Sequence, residues 1–165
     1  MIVLGIDPGL TVTGYGVVEG GHPPRPVAAG VIRTPVEEPI GQRLAVLFAN
    51  LTEVIAQHRP DVVALETVFT NRNLNTAISV GRASGVAILA AAQGGIPVAE
   101  YAPTAVKSAV TGDGSADKQG VAAMVARLLR LESPPSPADA ADALAVALCH
   151  LRTSPLVART VGGAR

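Results

Sequence analysis

Hydrophobic and polar positions along the chain follow two patterns, short unbroken apolar runs and longer stripes with helical spacing. Apolar runs bounded by Pro or Gly predict strands buried on both faces at 2–6 and 62–65. Less uniform runs predict further strands at 11–18, 27–34 and 96–99. Apolar residues at helical spacing predict helices at 39–57, 74–92, 104–110, 116–131 and 137–151.

The order of these elements predicts an α/β fold with a five-stranded mixed sheet flanked by helices. The first three strands follow one another closely, which is typical of an antiparallel meander. A helix separates the strands at 27–34 and 62–65, and such a crossover places the strand at 62–65 parallel to the first. Because Asp7 and Glu66 follow these two strands, we expect both carboxylates at one edge of the sheet.

Composition narrows the class of protein. A chain of 165 residues, 48% hydrophobic and 16% charged, suits one folded domain at 1–152, and we expect a disordered tail at 153–165. No apolar run has the roughly 18 uncharged residues of a membrane span. Cys149 is the only cysteine, which excludes an internal disulfide and fits a reducing cytoplasm. The formal net charge of zero does not by itself indicate nucleic-acid binding.

Acidic residues at four places suggest chemistry, although two of them also have ordinary structural explanations. Asp7 before Pro-Gly is good turn chemistry. Asp139 suits a helix start with Ser136 as N-cap and Pro137 in the first turn. Asp142 has no such explanation, because it lies one turn later among apolar residues. Two like charges on one apolar helix face are costly unless a cation lies beside them.

The candidate ligands are therefore Asp7, Glu66, Asp139 and Asp142. No Cys site is possible, and the three histidines lack ligand spacing, so all-oxygen ligation by Mg²⁺ or Mn²⁺ is expected. Several carboxylates that hold two such ions form a site for in-line attack of water on a phosphodiester.

The predicted helix at 74–92 carries Gly81 and Gly85 one turn apart, and each glycine costs the helix roughly 1 kcal/mol relative to Ala. This cost suggests close approach of another backbone, either the protein's own sheet or a second copy of the chain. Glu100 follows the last predicted strand and is expected at the surface.

The element order, with acids at these four places, resembles the ribonuclease H-like fold. Within residues 2–150, five separate blocks resemble the bacterial RuvC family of Holliday-junction resolvases in order and spacing: 5–9 (GIDPG), 13–16 (TGYG), 66–69 (ETVF), 81–87 (GRASGVA) and 139–145 (DAADALA).

This resemblance implies a homodimeric, Mg²⁺-dependent endonuclease that nicks two opposed strands of a four-way DNA junction symmetrically, in recombination and repair. It implies that Asp7, Glu66, Asp139 and Asp142 hold two Mg²⁺ ions per site, with Mn²⁺ able to substitute; some members carry His at the position of Asp139. It implies that the helix at 74–92 forms the dimer interface and that the RuvA–RuvB branch-migration complex is a partner.

The same resemblance implies three residues that contact DNA, and Arg72 is a further candidate by its place in the loop. Phe69 corresponds to an exposed aromatic that stacks on bases at the opened crossover, and Arg72 in the same loop is expected to contact the DNA as well. Lys107 and Lys118, the only lysines in the chain, correspond to basic residues that bind the DNA backbone.

Three alternatives stay open at this point. Residues 7–16 also resemble the phosphate-binding hairpin of actin-like kinases and ATPases, but no second such hairpin is visible in the sequence. Another ribonuclease H-like nuclease would act on RNA or linear DNA. An inactive module that only binds branched DNA would be supported by a lost carboxylate, yet all four are present.

Overall fold

The structure is a computed structural model that describes residues 1–67 and 73–154. The strands are β1 (Ile2–Asp7), β2 (Val12–Glu19), β3 (Arg25–Arg33), β4 (Val62–Glu66) and β5 (Val98–Tyr101). The helices are α1 (Ile40–His58), α2 (Leu74–Gln93), α3 (Pro103–Thr111), α4 (Lys118–Leu128) and α5 (Ala138–Thr153).

The strands form one five-stranded mixed sheet in the order β3-β2-β1-β4-β5. The first three strands pair antiparallel as a meander, and β4 and β5 extend the sheet parallel to β1. The predicted fold class and the predicted direction of β4 are confirmed. In this register Ile6 pairs with Leu65, so Asp7 and Glu66 are the next residues on two neighbouring parallel strands.

Both faces of the sheet are covered, which confirms that β1 and β4 are buried on both sides. Val3 and Ala64 belong to the core beneath α3, α4 and α5, whereas Leu4 and Leu65 belong to the core beneath α1 and α2. Side chains alternate between faces along a strand. Asp7 is four residues beyond Val3 and Glu66 two beyond Ala64, and both carboxylates therefore project to the α5 side.

Every predicted element is present with ends within three residues of the predicted ones, and two of the differences have a clear local cause. The last strand begins at Val98 rather than Ile96, because Pro97 has no N–H to donate and lies just outside the ladder, where its carbonyl accepts from Val63 N–H at 3.0 Å. Glu100 then lies within β5 and is exposed, as expected.

The helix predicted at 116–131 is shorter at both ends. It begins after Asp117, whose side chain accepts a hydrogen bond from Gly120 N–H at 2.7 Å. It ends at Leu128, and Arg130 has a φ of 54° that takes the chain out of the helical conformation.

The predicted cap of α5 is wrong. Pro137, not Ser136, precedes the first helical residue, and no side chain caps the helix. Asp139 is consequently the second residue of α5, still in the first turn. The helix also extends to Thr153, the first residue of the expected tail; residues 155–165 lie outside the described part of the chain.

Helix α2 is apolar on two opposite sides. Its inner side packs on the sheet through Ala83, Ala87, Ala90 and Ala91. Gly81 and Gly85 lie on the outer side, where an added Cβ at either position would have no atom within 4 Å, so the alternative in which they pack on the protein's own sheet is wrong. Among the described helices, α2 alone is long and apolar enough to cross a membrane, and its buried alanine side accounts for part of that apolar character.

Helix α5 lies directly on the backbone of β1 and β2. A Cβ added to Gly5 would be 2.1 Å from the carbonyl oxygen of Ala143, and one added to Gly14 would be 2.0 Å from that of Asp139. Gly14 pairs with Asp7 across β1 and β2. These glycines therefore allow the start of α5 to lie next to the end of β1.

The substitution Gly14→Ala tests this close approach. We expect it to lower the free energy of unfolding by about 2–3 kcal/mol, because a methyl group cannot enter the gap without moving α5. Urea denaturation measures the change. Gly41→Ala is the matched control, since its added Cβ meets nothing within 4 Å and Ala favours the helix. Equal stability of the two variants would contradict the argument.

Candidate metal and DNA site

The sheet supplies two of the four predicted carboxylates. Asp7 and Glu66 are the last residues of β1 and β4, and each is partly buried. The backbone after Glu66 is fixed by Thr67, whose N–H and hydroxyl both donate to the carbonyl of Tyr101, at 2.8 and 3.1 Å. This contact of Thr67 has no signal in the sequence, because Tyr101 is 34 residues away and its carbonyl is brought there by the β4–β5 pairing.

Helix α5 supplies the other two carboxylates. Asp139 and Asp142 lie in its first two turns, and the remainder of the helix from Ala143 to Leu151 is buried. Both charges are close enough to Asp7 to raise its pKa. The structure thus brings together the four acids that the sequence singled out.

A cavity of about 170 Å³ opens between the sheet edge and helices α3, α4 and α5. Its charged lining consists of Asp7, Glu66, Asp142, Lys107 and Lys118. Asp139 is not among the lining residues. A larger cleft of about 620 Å³ lies at the other end of β4, between α1 and α2, and the only charged residue among those that line it is Arg59.

The two lysines enter this cavity from neighbouring helices. Lys118 is the first residue of α4, placed by the Asp117 cap, and its Nζ contacts Asp142 Oδ2 at 3.0 Å. The Lys118 side chain remains 78% exposed, against 22% for Asp142. Lys107, on α3, lies close enough to Glu66 to lower the pKa of that carboxyl.

Burial and repulsion between like charges raise the pKa values of Asp7 and Glu66. Burial is the largest cause that raises the pKa of Asp7 from 3.8 to about 6, and the charges of Asp142 and Asp139 raise it further. Burial likewise leads in raising the pKa of Glu66 from 4.5 to about 7, followed by the charges of Asp7 and Asp142. Lys118 lowers both pKa values but does not offset these effects.

These residues fit divalent cations by their chemistry. The donors are carboxylate oxygens without His or Cys, and their excess negative charge is what such an ion would neutralise. Within residues 1–67 and 73–154, no three acidic, His or Cys side chains converge tightly enough to form a finished metal cluster. A cation between these carboxylates would remove the repulsion among them.

Two predicted DNA-contacting residues cannot be located. Phe69 and Arg72 fall in residues 68–72, outside the described part of the chain. Lys107 and Lys118 are the predicted contacts that the structure locates, and both lie in the acidic cavity.

The mixed sheet with an acidic cavity at the end of β1 and β4 belongs to the ribonuclease H-like class of nuclease folds. Within that class, the family described as crossover junction endodeoxyribonuclease RuvC matches residues 3–150. The chain belongs to the RuvC family, which is a family of metal-dependent nucleases.

Individual relatives agree with this assignment. Proteins named crossover junction endodeoxyribonuclease RuvC from Halorhodospira halophila and Salinispora arenicola are 52% and 56% identical to the chain. The match to the first relative covers 99% of this chain and 98% of the relative. The match to the second covers 92% of this chain and 87% of the relative. A solved structure of T. thermophilus RuvC in complex with Holliday junction substrate has a TM-score of 0.88 at 42% identity, covering 92% of this chain and 93% of that one.

The raised pKa values predict how stability depends on pH when EDTA removes metal ions. Between about pH 4 and pH 7 the folded protein retains protons on Asp7 and Glu66 that the unfolded chain has lost, so the free energy of unfolding falls as pH rises. We expect Asp7→Asn to be more stable than the parent by about 1–2 kcal/mol near pH 8 and equally stable near pH 4.

Urea denaturation in EDTA at the two pH values measures this difference. Glu53→Gln removes a charge from an exposed position on α1 and serves as the control, with no expected dependence on pH. A stability gain of Asp7→Asn that is the same at both pH values would contradict the proposed cause.

Proposed function

We propose that this protein is an endonuclease that uses divalent cations to cut four-way DNA junctions. The observation that supports this most is the cavity in which Asp7, Glu66 and Asp142 face Lys107 and Lys118. Acidic residues bind metal ions and basic residues bind phosphates. The cavity therefore holds side chains for both the metal ions and the phosphate in phosphodiester hydrolysis. The relatives named crossover junction endodeoxyribonuclease and the junction-bound T. thermophilus structure support the choice of substrate.

In this proposal Asp7, Glu66, Asp139 and Asp142 hold two Mg²⁺ ions, and Mn²⁺ is able to replace them. The ions would supply a water of lowered pKa for attack and would stabilise the departing 3′ oxygen. The protein's own contribution is to hold four like charges at one place, using the paired ends of β1 and β4 and the buried helix α5.

In this proposal Lys118 both neutralises acidic charge and binds DNA. It neutralises part of the acidic charge through Asp142 and, being largely exposed, can turn toward a DNA phosphate. Lys107 would bind the backbone from the α3 side. Phosphate contacts of this kind position DNA without selecting a sequence. We retain Phe69 as a base-stacking residue on the strength of the family resemblance, and Arg72 as a DNA contact because it belongs to the same loop.

We further propose that the protein is a homodimer formed through the outer α2 face. This face carries a continuous apolar strip, with Leu74 75% and Leu89 51% exposed, and it consists of Leu74, Ile78, Gly81, Gly85, Ile88 and Leu89. The two glycines would let partner helices approach closely. A two-fold dimer presents two identical sites to a junction of matching symmetry, which accounts for paired symmetric nicks.

The remaining assignments rest on family membership. We propose that the protein acts in the cytoplasm, in recombination and DNA repair. The single domain predicted at 1–152 also includes Thr153, the last residue of α5. The RuvA–RuvB branch-migration complex is the expected partner.

A single gel tests the proposed activity. The protein is incubated with a branch-migrating four-way junction or a linear duplex of the same sequence, in Mg²⁺, Mn²⁺ or EDTA. We expect paired nicks on the junction alone, abolished by EDTA. Cleavage of both DNAs would indicate a less selective nuclease. Binding without cleavage in either metal would indicate a binding module.

Removal of one ligand should separate cutting from binding. We expect Asp7→Asn to cut the junction roughly 100-fold more slowly or not at all, because a neutral amide cannot replace a carboxylate at the metal. Junction binding in EDTA should be retained, since no basic residue is lost. Glu53→Gln makes the same charge change on exposed α1 and should cut normally. Normal cutting by Asp7→Asn would remove Asp7 from the site.

A charge on the outer α2 face should break the dimer. We expect Leu89→Glu to sediment as a monomer, because association would bury the carboxylate among apolar residues. Ala45→Glu introduces the same group at an exposed position on α1 and should remain dimeric. Analytical ultracentrifugation distinguishes the two species. A dimeric Leu89→Glu variant would place the interface elsewhere.

A further inference from the structure

The β1–β2 turn begins immediately after Asp7. It is tied from within the hairpin by Thr13, whose hydroxyl donates to the carbonyl of Gly9 at 2.6 Å. It is tied to the end of β3 by Thr34, whose N–H donates to the carbonyl of Thr11 at 3.2 Å. Because Asp7 is the last residue of β1 paired with β2, a movement of this turn displaces Asp7 before the rest of the strand.

A side chain from another layer of the protein also holds this turn. Arg43, in the first turns of α1, donates from Nε to Thr34 Oγ1 at 3.0 Å and from Nη2 to Thr11 Oγ1 at 3.1 Å. The Thr34 hydroxyl in turn donates to the carbonyl of Leu10 at 2.6 Å. Thr34 is only 5% exposed and Leu10 8%. If their hydrogen bond broke, water would have little access to the Thr34 hydroxyl or the Leu10 carbonyl.

The planar shape of the Arg43 guanidinium allows it to make both hydrogen bonds at once. Its planar fork directs two donors at two hydroxyls on different segments, which an ammonium on a flexible stem cannot reproduce. Arg43 thereby links α1, the end of β3 and the turn after β1 into one hydrogen-bonded unit. None of its described contacts is to a carboxylate, so the arrangement is not an ion pair.

We propose that Arg43 is a positioning residue for the carboxylate site. By fixing the β1–β2 turn through Thr34 and Thr11, it sets the place of Asp7 relative to Glu66 and to the acids on α5. This inference rests on the proposed function, because it concerns the same metal site. The competing explanation for a half-buried arginine near this end of the sheet is a direct contact with a DNA phosphate.

Four variants separate these explanations. Arg43→Lys keeps the charge but loses the fork, and Arg43→Gln loses both. Thr34→Val removes the buried hydroxyl that Arg43 uses, whereas Thr34→Ser keeps it. Arg25→Gln is the matched control, because Arg25 pairs with exposed Glu19 at the other end of β3.

The first measurement is binding of Mn²⁺ alone to DNA-free protein, by electron paramagnetic resonance or calorimetry. We expect Arg43→Lys, Arg43→Gln and Thr34→Val each to weaken Mn²⁺ binding by up to about 10-fold, the lower end of the effect for groups bonded directly to a ligand, because these residues act on Asp7 through the turn. Thr34→Ser and Arg25→Gln should bind Mn²⁺ like the parent. The double variant Arg43→Gln/Thr34→Val should be no worse than either single change, because both break the same unit.

The second measurement is junction binding in EDTA as a function of salt. Positioning predicts affinity within twofold of the parent for every variant. If Arg43→Gln alone weakened junction binding and reduced the salt slope by about one while Mn²⁺ binding stayed normal, Arg43 would be a phosphate contact and the inference would be overturned. Unchanged Mn²⁺ binding in Arg43→Lys and Thr34→Val would also overturn it.

Failure of the proposed function gives a different pattern. If the parent bound Mn²⁺ but cut no junction, the activity would be wrong, whereas weakened Mn²⁺ binding in the Arg43 and Thr34 variants would still support the positioning role. Thermal denaturation accompanies each variant, so that Mn²⁺ binding is compared only among folded proteins.

Discussion

The packing of α5 on the backbone of β1 and β2 is the contact on which the site depends. Gly5, Gly14 and Gly16 leave a strip without side chains on one face of the sheet, and the helix lies against it at distances that no Cβ would permit. The first turns of the helix therefore come beside Asp7. A wider separation, as is usual between a helix and a sheet with larger side chains, would leave the α5 acids too far from the strand acids to share a cation.

The same packing creates the electrostatic character of the cavity. Burial of α5 and of the ends of β1 and β4 removes water from Asp7 and Glu66, which raises the pKa of both carboxyls, and the charge of Asp142 raises both further. Lys118 contacts Asp142 directly, but this contact does not balance the excess negative charge of the acids. The site is thus poised to gain from a divalent cation, since binding replaces repulsion among acids with attraction to a shared charge.

The two helical layers have different tasks. On one side α3, α4 and α5 bring lysines and acids to the sheet edge. On the other side α1 and α2 complete the core, and each helix also carries residues that take no part in the core. Arg43 extends from α1 to the turn after Asp7, and α2 exposes an apolar strip with two glycines. Arg43 and the apolar strip therefore both belong to the layer that supplies none of the four acids.

Much of the fold followed from the sequence, because local patterns were strong. Unbroken apolar runs ending in Asp7 and Glu66 predicted the two central strands, and the helical crossover fixed their parallel direction. Predicted ends were wrong where a proline lies at the boundary. The strand β5 begins after Pro97 rather than at Ile96, and Pro137 rather than Ser136 precedes α5.

The sequence by itself singled out the residues for the chemistry: four acids at two strand ends and on one helix, and the only two lysines of the chain. It could also place Asp7 and Glu66 at one edge, since the strand ends are local features and a helical crossover makes the two strands parallel. Only the tertiary structure decided that Gly14 brings the α5 acids beside Asp7, that Arg43 fastens the β1–β2 turn, and that Gly81 and Gly85 face outward. These are contacts between segments distant in the chain, and their distances depend on how whole layers pack, which no local pattern encodes.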